Sequence, residues 1–325
     1  MEYRSAKGFT GWGQTGMLVA FIGVGLILAG IVQLWIGLSL IAPGIPPLQK
    51  ADAMLKALFK PENVGWLQIS QVISTFFLFF LPTVFYSLVC NGKHPLWLGF
   101  SRHINFWQVL LGFFIIFCAN IASEPIADLS KKIIAHFPSV NNWAQGLEDS
   151  YNSQVTAMSN LKGRSSLVLA IVVLAFFPAL FEEILFRGAI QNLFIKWWKK
   201  PLLGIIITSL VFSFIHGEAY PFLSRAILGF VLGLMYYQSK NLWVNIIAHF
   251  LNNAIAVIQL YAAGSQSTSI PAWIGFASIP LLYFLFLIFK KISAKNKAMI
   301  ETDELKLWIK STPQYNLAET NNLSN

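Results

Sequence analysis

Long apolar runs recur along this chain, and nothing else about it restricts the fold so tightly. A helix needs about 20 apolar residues to cross a bilayer, because each residue advances roughly 1.5 Å along a hydrocarbon core about 30 Å thick. Runs of this kind lie at about 17–41, 66–90, 104–122, 166–190, 202–217, 221–239, 242–263 and 272–289. Composition points the same way. Of 325 residues 56% are hydrophobic and 11% charged, whereas soluble domains carry about 25% charged residues to cover their surfaces. The expected fold is therefore an all-α, polytopic membrane helix bundle of about eight transmembrane helices. The 28 Phe and 11 Trp suit lipid-facing surfaces and interfacial belts. The first run is too long for the apolar core of a signal peptide and lacks a small-residue cleavage site, so it reads as a retained span.

The runs divide the chain. Residues 1–122 hold three spans, 123–165 form a polar stretch, 166–289 hold five further spans, and 290–325 are polar and basic. The polar stretch reads as a mostly helical extramembrane loop. The tail reads as partly disordered, its last dozen residues being rich in Asn and Thr. A net charge of +9 fits the positive-inside rule, since the basic residues are dispersed through short loops and the tail. They make no clustered patch of the kind nucleic acid binding requires. Arg4, Lys7, Lys93, Arg102, Lys196, Lys199, Lys200, Lys240 and the four lysines from Lys290 to Lys297 fall on one side, while the loop at 264–271 is uncharged. Lys50, Lys56 and Lys60 run against that pattern. The expectation is a multi-pass integral membrane protein with cytoplasmic termini, in the cell membrane if the source is bacterial. Cys90 and Cys118 both lie at or within spans and read as buried thiols without a disulfide. No oligomeric state is legible.

Ionisable residues inside apolar runs are costly and mark a function or a buried pair. Three places in 166–289 carry them. Glu182-Glu183 precede Arg187, and helical spacing sets Glu183 and Arg187 one turn apart as an ion pair. Glu182, about 100° around the helix, is left without that cation, which suits a general base. The bland alternative is a structural pair beside a water-facing carboxylate. His216 ends another run, where an interfacial histidine is the ordinary reading, and Glu218 beyond it reads as a solvated loop residue. His249 and Asn253, also four apart, share a helical face, where an interhelical hydrogen bond would be commonplace. Asn252 points elsewhere, toward packing or support. Each signal alone is modest. Together they supply a base, polarising histidines and an amide donor, the parts needed to cleave an amide with water.

The series Glu182-Glu183-x-x-x-Arg187, Phe212-x-x-x-His216 and His249-x-x-x-Asn253, in this order over about 166–263, resembles the motifs of the CPBP family. That family comprises type II CAAX prenyl endopeptidases and Abi proteins linked to bacteriocin processing and self-immunity. The resemblance implies an intramembrane endopeptidase acting on a protein or peptide substrate that enters from the bilayer. It implies Glu182 as general base, His216 as a holder of water, His249 and Asn253 as oxyanion stabilisers, and Glu183 and Arg187 as supports. Zinc held by Glu182, His216 and His249 is possible in such a set. No His-Glu-x-x-His helix is present, and a metal-free mechanism is preferred. Two other readings use the same residues: a catalytically silent immunity or scaffold protein, and a proton-coupled transporter. One tension stands, for the drawn spans put His216 and His249 roughly 10 Å apart in depth.

Overall fold

The computed structural model describes residues 3–159, 164–263 and 271–311. All eight expected runs are helical. Element α1 is Gly11–Ser39, α2 Pro47–Leu58, α3 Pro61–Cys90, α4 Phe106–Ala135 and α5 Pro138–Ser159. Then come α6 Leu167–Trp198, α7 Pro201–Ile215, α8 Phe222–Ser239, α9 Leu242–Ala263 and α10 Ala272–Ser311. Six of these, α1, α3, α4, α6, α9 and α10, are long and apolar enough to cross a membrane. No strand occurs among the described residues. The result is an integral membrane helical bundle.

The remaining two expected spans, α7 and α8, make a hairpin. Lys196 before it and Lys240 after it both approach Glu304, at 3.7 and 3.6 Å, so the chain leaves and returns at one end of the bundle. With 15 residues, α7 advances only about 22 Å, less than the hydrocarbon thickness. Its tip, where His216 sits, therefore stops short of a full crossing.

Helix α6 is the centre. Phe181, Leu185, Phe186 and Ala189 pack into a core shared with α1, α3 and α7, while Ile184 faces a second cluster with Tyr236 and Leu242. A third cluster joins α4, α8, α9 and α10 around Ile115, Met235 and Phe289. Helix α3 widens by a π turn at Phe76–Phe80 and α6 by two, at Val172–Phe176 and Ile184–Gln191, and the first in each helix has a local cause. The cause lies just downstream. Pro82 and Pro178 lack an N–H and would clash with the carbonyls of Leu78 and Leu174, and a wider turn relieves both problems. Cys90 and Cys118 are buried free thiols.

Several boundaries differ from the sequence reading. The residues after 289 do not begin a loose tail: α10 continues to Ser311 because its polar half docks on the bundle. Ser293 accepts from Gln108 at 3.0 Å, Asn296 donates to Gln108 at 2.8 Å, and Asp303 meets His103 at 2.9 Å. The Asn- and Thr-rich end beyond 311, Lys162 and most of the 264–271 connection lie outside the described residues. Helix α4 runs past 122 to Ala135, and α5 fills most of the polar stretch, tied back by Lys131–Glu148 at 3.0 Å and by Tyr220 donating to Asn141 at 2.7 Å. The segment with Lys50 and Lys56, read as a loop, is largely α2.

Gly229 and Gly233, a small-xxx-small pair, bring α8 close to α7, where a Cβ on Gly229 would lie 3.1 Å from Phe212 and 3.3 Å from the Ser209 backbone. Without side chains there, Arg187 Nη2 reaches Gly229 O at 3.0 Å and Gln191 Nε2 reaches Gly233 O at 2.9 Å. A Cβ on Gly233 would lie 2.7 Å from Ile205 and 2.9 Å from Gln191. Gly233→Val should therefore force the helices apart, costing about 1–3 kcal/mol. Thermal unfolding in detergent is the measurement, and a wild-type midpoint would refute the close approach.

Candidate active site

At the middle of α6 the Glu183 side chain is completely buried and gathers polar groups from α6 and α9 around one carboxylate. Its Oε1 accepts from Arg187 Nη1 at 2.7 Å and from His249 Nδ1 at 3.0 Å, and its Oε2 accepts from Asn245 Nδ2 at 3.2 Å. Arg187 is also anchored to α8 through Gly229 O, and its guanidinium lies 4.9 Å from the Phe212 ring of α7. The pairing expected from i,i+4 spacing is thus present, but it serves three further helices as well.

That carboxylate fixes the histidine facing the site. A carboxylate only accepts, so His249 Nδ1 carries the hydrogen and Nε2 points away from Glu183. His216 is fixed similarly: its Nδ1 donates to Phe212 O at 2.7 Å, one turn back. Both rings thereby turn Nε2 toward Glu182, whose Oε2 is 4.0 Å from His216 Nε2 and 3.9 Å from His249 Nε2. These gaps exceed a direct hydrogen bond. A water about 2.8 Å from both Glu182 and His216 would subtend an angle of roughly 90°, close to that between its own two O–H bonds.

The depth difference expected between the histidines does not keep them apart. Helix α9 begins beneath the 99–103 loop, where Asn241 is fully buried and donates to Ser101 O and His103 O, while Leu242 N donates to Gly99 O. Its start is sunk into the bundle, while α7 begins at half-exposed Pro201 and is short. Those two offsets bring His249 and His216 to one carboxylate.

Glu182, His216, His249 and Asn253 all line one cavity of about 350 Å³. Glu183 and Arg187 lie behind it rather than in its wall. Asn252 has a more defined place than packing. Asn120 of α4 donates to Asn252 Oδ1, and Asn252 Nδ2 donates to Asn253 Oδ1 at 3.5 Å. A head-to-tail chain of amides thus leaves Asn253 Nδ2 for the cavity. Asn120 escaped the sequence reading, although a lone amide in an apolar run was its signal. Asn245 escaped it too, although 245, 249 and 253 form one stripe at fourfold spacing. Glu218 is a correction: it is not solvated but ion-paired with Arg225 at 2.7 Å, with side chains 10% and 18% exposed, because the α7–α8 turn folds over the cavity. Tyr151 and Gln154 of α5 complete the wall.

Tetrahedral zinc holds its ligands at about 2.0–2.2 Å, which puts neighbouring donors near 3.4 Å from one another. The spacings of 3.9 and 4.0 Å approach the sum of two full bonds, so Glu182, His216 and His249 as placed do not close on one ion. Among the described residues no three-group set is spaced to hold a metal.

Residues 164–255, which contain all six motif positions, match the family described as Type II CAAX prenyl endopeptidase Rce1-like. This segment is similar to that family. The chain is 30% identical over 90 residues, 28% of its length and 36% of the relative's, to the protein named "Putative membrane peptidase YdiL" of Bacillus subtilis (strain 168). It is 33% identical over 97 residues, 28% of this chain and 45% of the relative, to "Uncharacterized protein YpbD" of the same organism. The match spans less than half the length of these curated relatives. No solved structure matches the chain. The Rce1-like segment covers α6 to most of α9, so Asn120 of α4 and the α5 wall of the cavity stand outside it.

Removing Arg187 would strip the buried Glu183 of its paired guanidinium, and breaking a buried pair in this way typically costs about 3–5 kcal/mol. Arg187→Ala is expected to lower the yield and unfolding temperature of the detergent-purified protein. Wild-type stability would show that the pair does not hold the helices.

Proposed function

We propose that this protein is an intramembrane endopeptidase, with both termini cytoplasmic, that hydrolyses a peptide bond of a membrane-associated protein or peptide by a metal-free route. The observation that carries the reading is the convergence of two Nε2 atoms on Glu182 Oε2, at 4.0 and 3.9 Å, inside a cavity walled by apolar helices. The Rce1-like match supports the same class of chemistry.

In this mechanism a water lies between Glu182 and His216, donating to both. As its oxygen attacks the scissile carbonyl, Glu182 takes one proton and the carbonyl oxygen becomes an oxyanion. His249 Nε2, protonated with Glu183 as its counter-ion, and Asn253 Nδ2 donate to that oxyanion. When the C–N bond breaks, Glu182 returns its proton to the leaving amine. Glu183 and Arg187 touch no substrate; Glu183 holds His249 through its Nδ1 hydrogen, and Arg187 holds Glu183. Asn120 and Asn252 set the direction in which Asn253 presents its amide.

Comparing the membrane proteomes of wild-type and Glu182→Ala cells should reveal a cleavage product lost from the variant, which then serves as the assay. Glu182→Gln keeps shape but not basicity, so cleavage should fall roughly 10²-fold or more with stability unchanged. Full activity in a stable Glu182→Gln protein would remove the proposed base. A strong chelator should leave wild-type activity intact, whereas loss restored by zinc would overturn the metal-free route.

The amide chain yields a sharper test. A carboxylate at position 120 can only accept, so Asn120→Asp should turn Asn252 around and with it Asn253, which would then offer Oδ1 to the oxyanion. Losing such a donor costs about 10²–10³ in turnover. Asn120→Asp should therefore depress kcat more than Asn120→Ala, with KM little changed. An Asp variant as active as the Ala variant would show that the relay does not orient Asn253.

A further inference from the structure

On the other side of α6 from the catalytic cavity lies a cleft of about 680 Å³ with two chemically different parts. Its apolar wall is built from one stripe of α3, with Phe80, Val84 and Leu88 at fourfold spacing, and one stripe of α6, with Leu180 and Ile184. Trp243 closes it at the start of α9, packed edge-on against Phe100 at 5.0 Å. At that same end the turn between α3 and α4 adds Lys93, His94 and Arg102 to the lining.

The charge at that end, the rim of the cleft, is one-sided. No acidic residue occurs between Glu62 and Glu124 in the sequence, and none is among the described residues lining the cleft. Asp303, the carboxylate whose field reaches Arg102, is bonded to His103 at 2.9 Å. His94 Nδ1 accepts from Leu96 N at 3.2 Å, which puts the ring hydrogen of the neutral form on Nε2 and makes it a further donor. The rim also stands at a membrane boundary. It adjoins the end of the bundle where Lys196 and Lys240 meet Glu304, and Trp243 is half-exposed there, as interfacial tryptophans are.

From this we infer that the cleft is a binding site for an anionic phospholipid, with the headgroup phosphate on Lys93, Arg102 and His94 and one acyl chain along Phe80, Val84 and Ile184. A zwitterionic lipid fits the apolar wall, but its own cation offsets its phosphate and leaves the positive rim unneutralised. A soluble phosphate satisfies the rim but leaves the apolar wall uncovered. The site is independent of the proposed peptidase activity.

Each Lys or Arg at an anionic membrane surface is worth on the order of fivefold in affinity. Two of them predict roughly a 25-fold preference for phosphatidylglycerol over phosphatidylcholine. Native mass spectrometry of the full-length, detergent-purified protein, titrated with the two lipids in competition, reads that ratio. Lys93→Gln/Arg102→Gln should bring it close to parity, while Lys290→Gln/Lys291→Gln, which removes equal charge from α10, should leave it unchanged. Val84→Trp fills the apolar wall and should weaken binding of both lipids without altering the rim. The inference fails if the wild type shows no preference, if the α10 control loses as much as the cleft variant, or if Val84→Trp binds as well as the wild type. It also fails if glycerol phosphate displaces the lipid, since the rim alone would then account for binding.

Discussion

A single buried carboxylate organises the segment of this protein that resembles the Rce1-like family. Glu183 is surrounded by Arg187, His249 and Asn245, and Arg187 continues to a backbone carbonyl on α8. In a medium with little water, a charge is tolerable only when its lone pairs are filled. Filling them requires α6, α8 and α9 to stand in one register. The same arrangement forces the hydrogen of His249 onto Nδ1 and aims its other nitrogen at Glu182. Structural satisfaction and the poise of the site are therefore one set of bonds.

The helices around that carboxylate are adapted to it rather than ideal. Two prolines widen α3 and α6, two glycines in α8 expose the carbonyls that receive Arg187 and Gln191, and α7 is too short to cross. The short α7 matters most. A full-length span would have carried His216 to the far membrane surface, away from Glu182. Ending early, with the α7–α8 turn and α5 folded over the end, it leaves a polar cavity enclosed by apolar helices. Glu218 and Arg225 become buried by that same closure.

Much of the fold was legible because a bilayer imposes a length and an apolarity on every crossing helix. The eight runs follow from those rules, and the i,i+4 relations of Glu183 with Arg187 and of His249 with Asn253 follow from the helical period. The ends of elements were less legible. Helix α10 extends through Lys290 to Ser311 because Gln108, His103, Lys196 and Lys240 receive its polar face, partners remote in sequence. Asn120 was invisible as a site residue for the same reason: its role exists only where α4 crosses α9.

By itself, then, the sequence determined that this chain is a membrane helix bundle and which six polar residues stand out at helical spacing in its apolar runs, since hydrophobic length and helical period are local properties. Only the tertiary structure decided which nitrogen of each histidine is presented and how residues of unlike depth meet. Those outcomes depend on hydrogen bonds between helices. Such bonds are set by where short, kinked and sunken helices cross, and no local pattern along the chain records that.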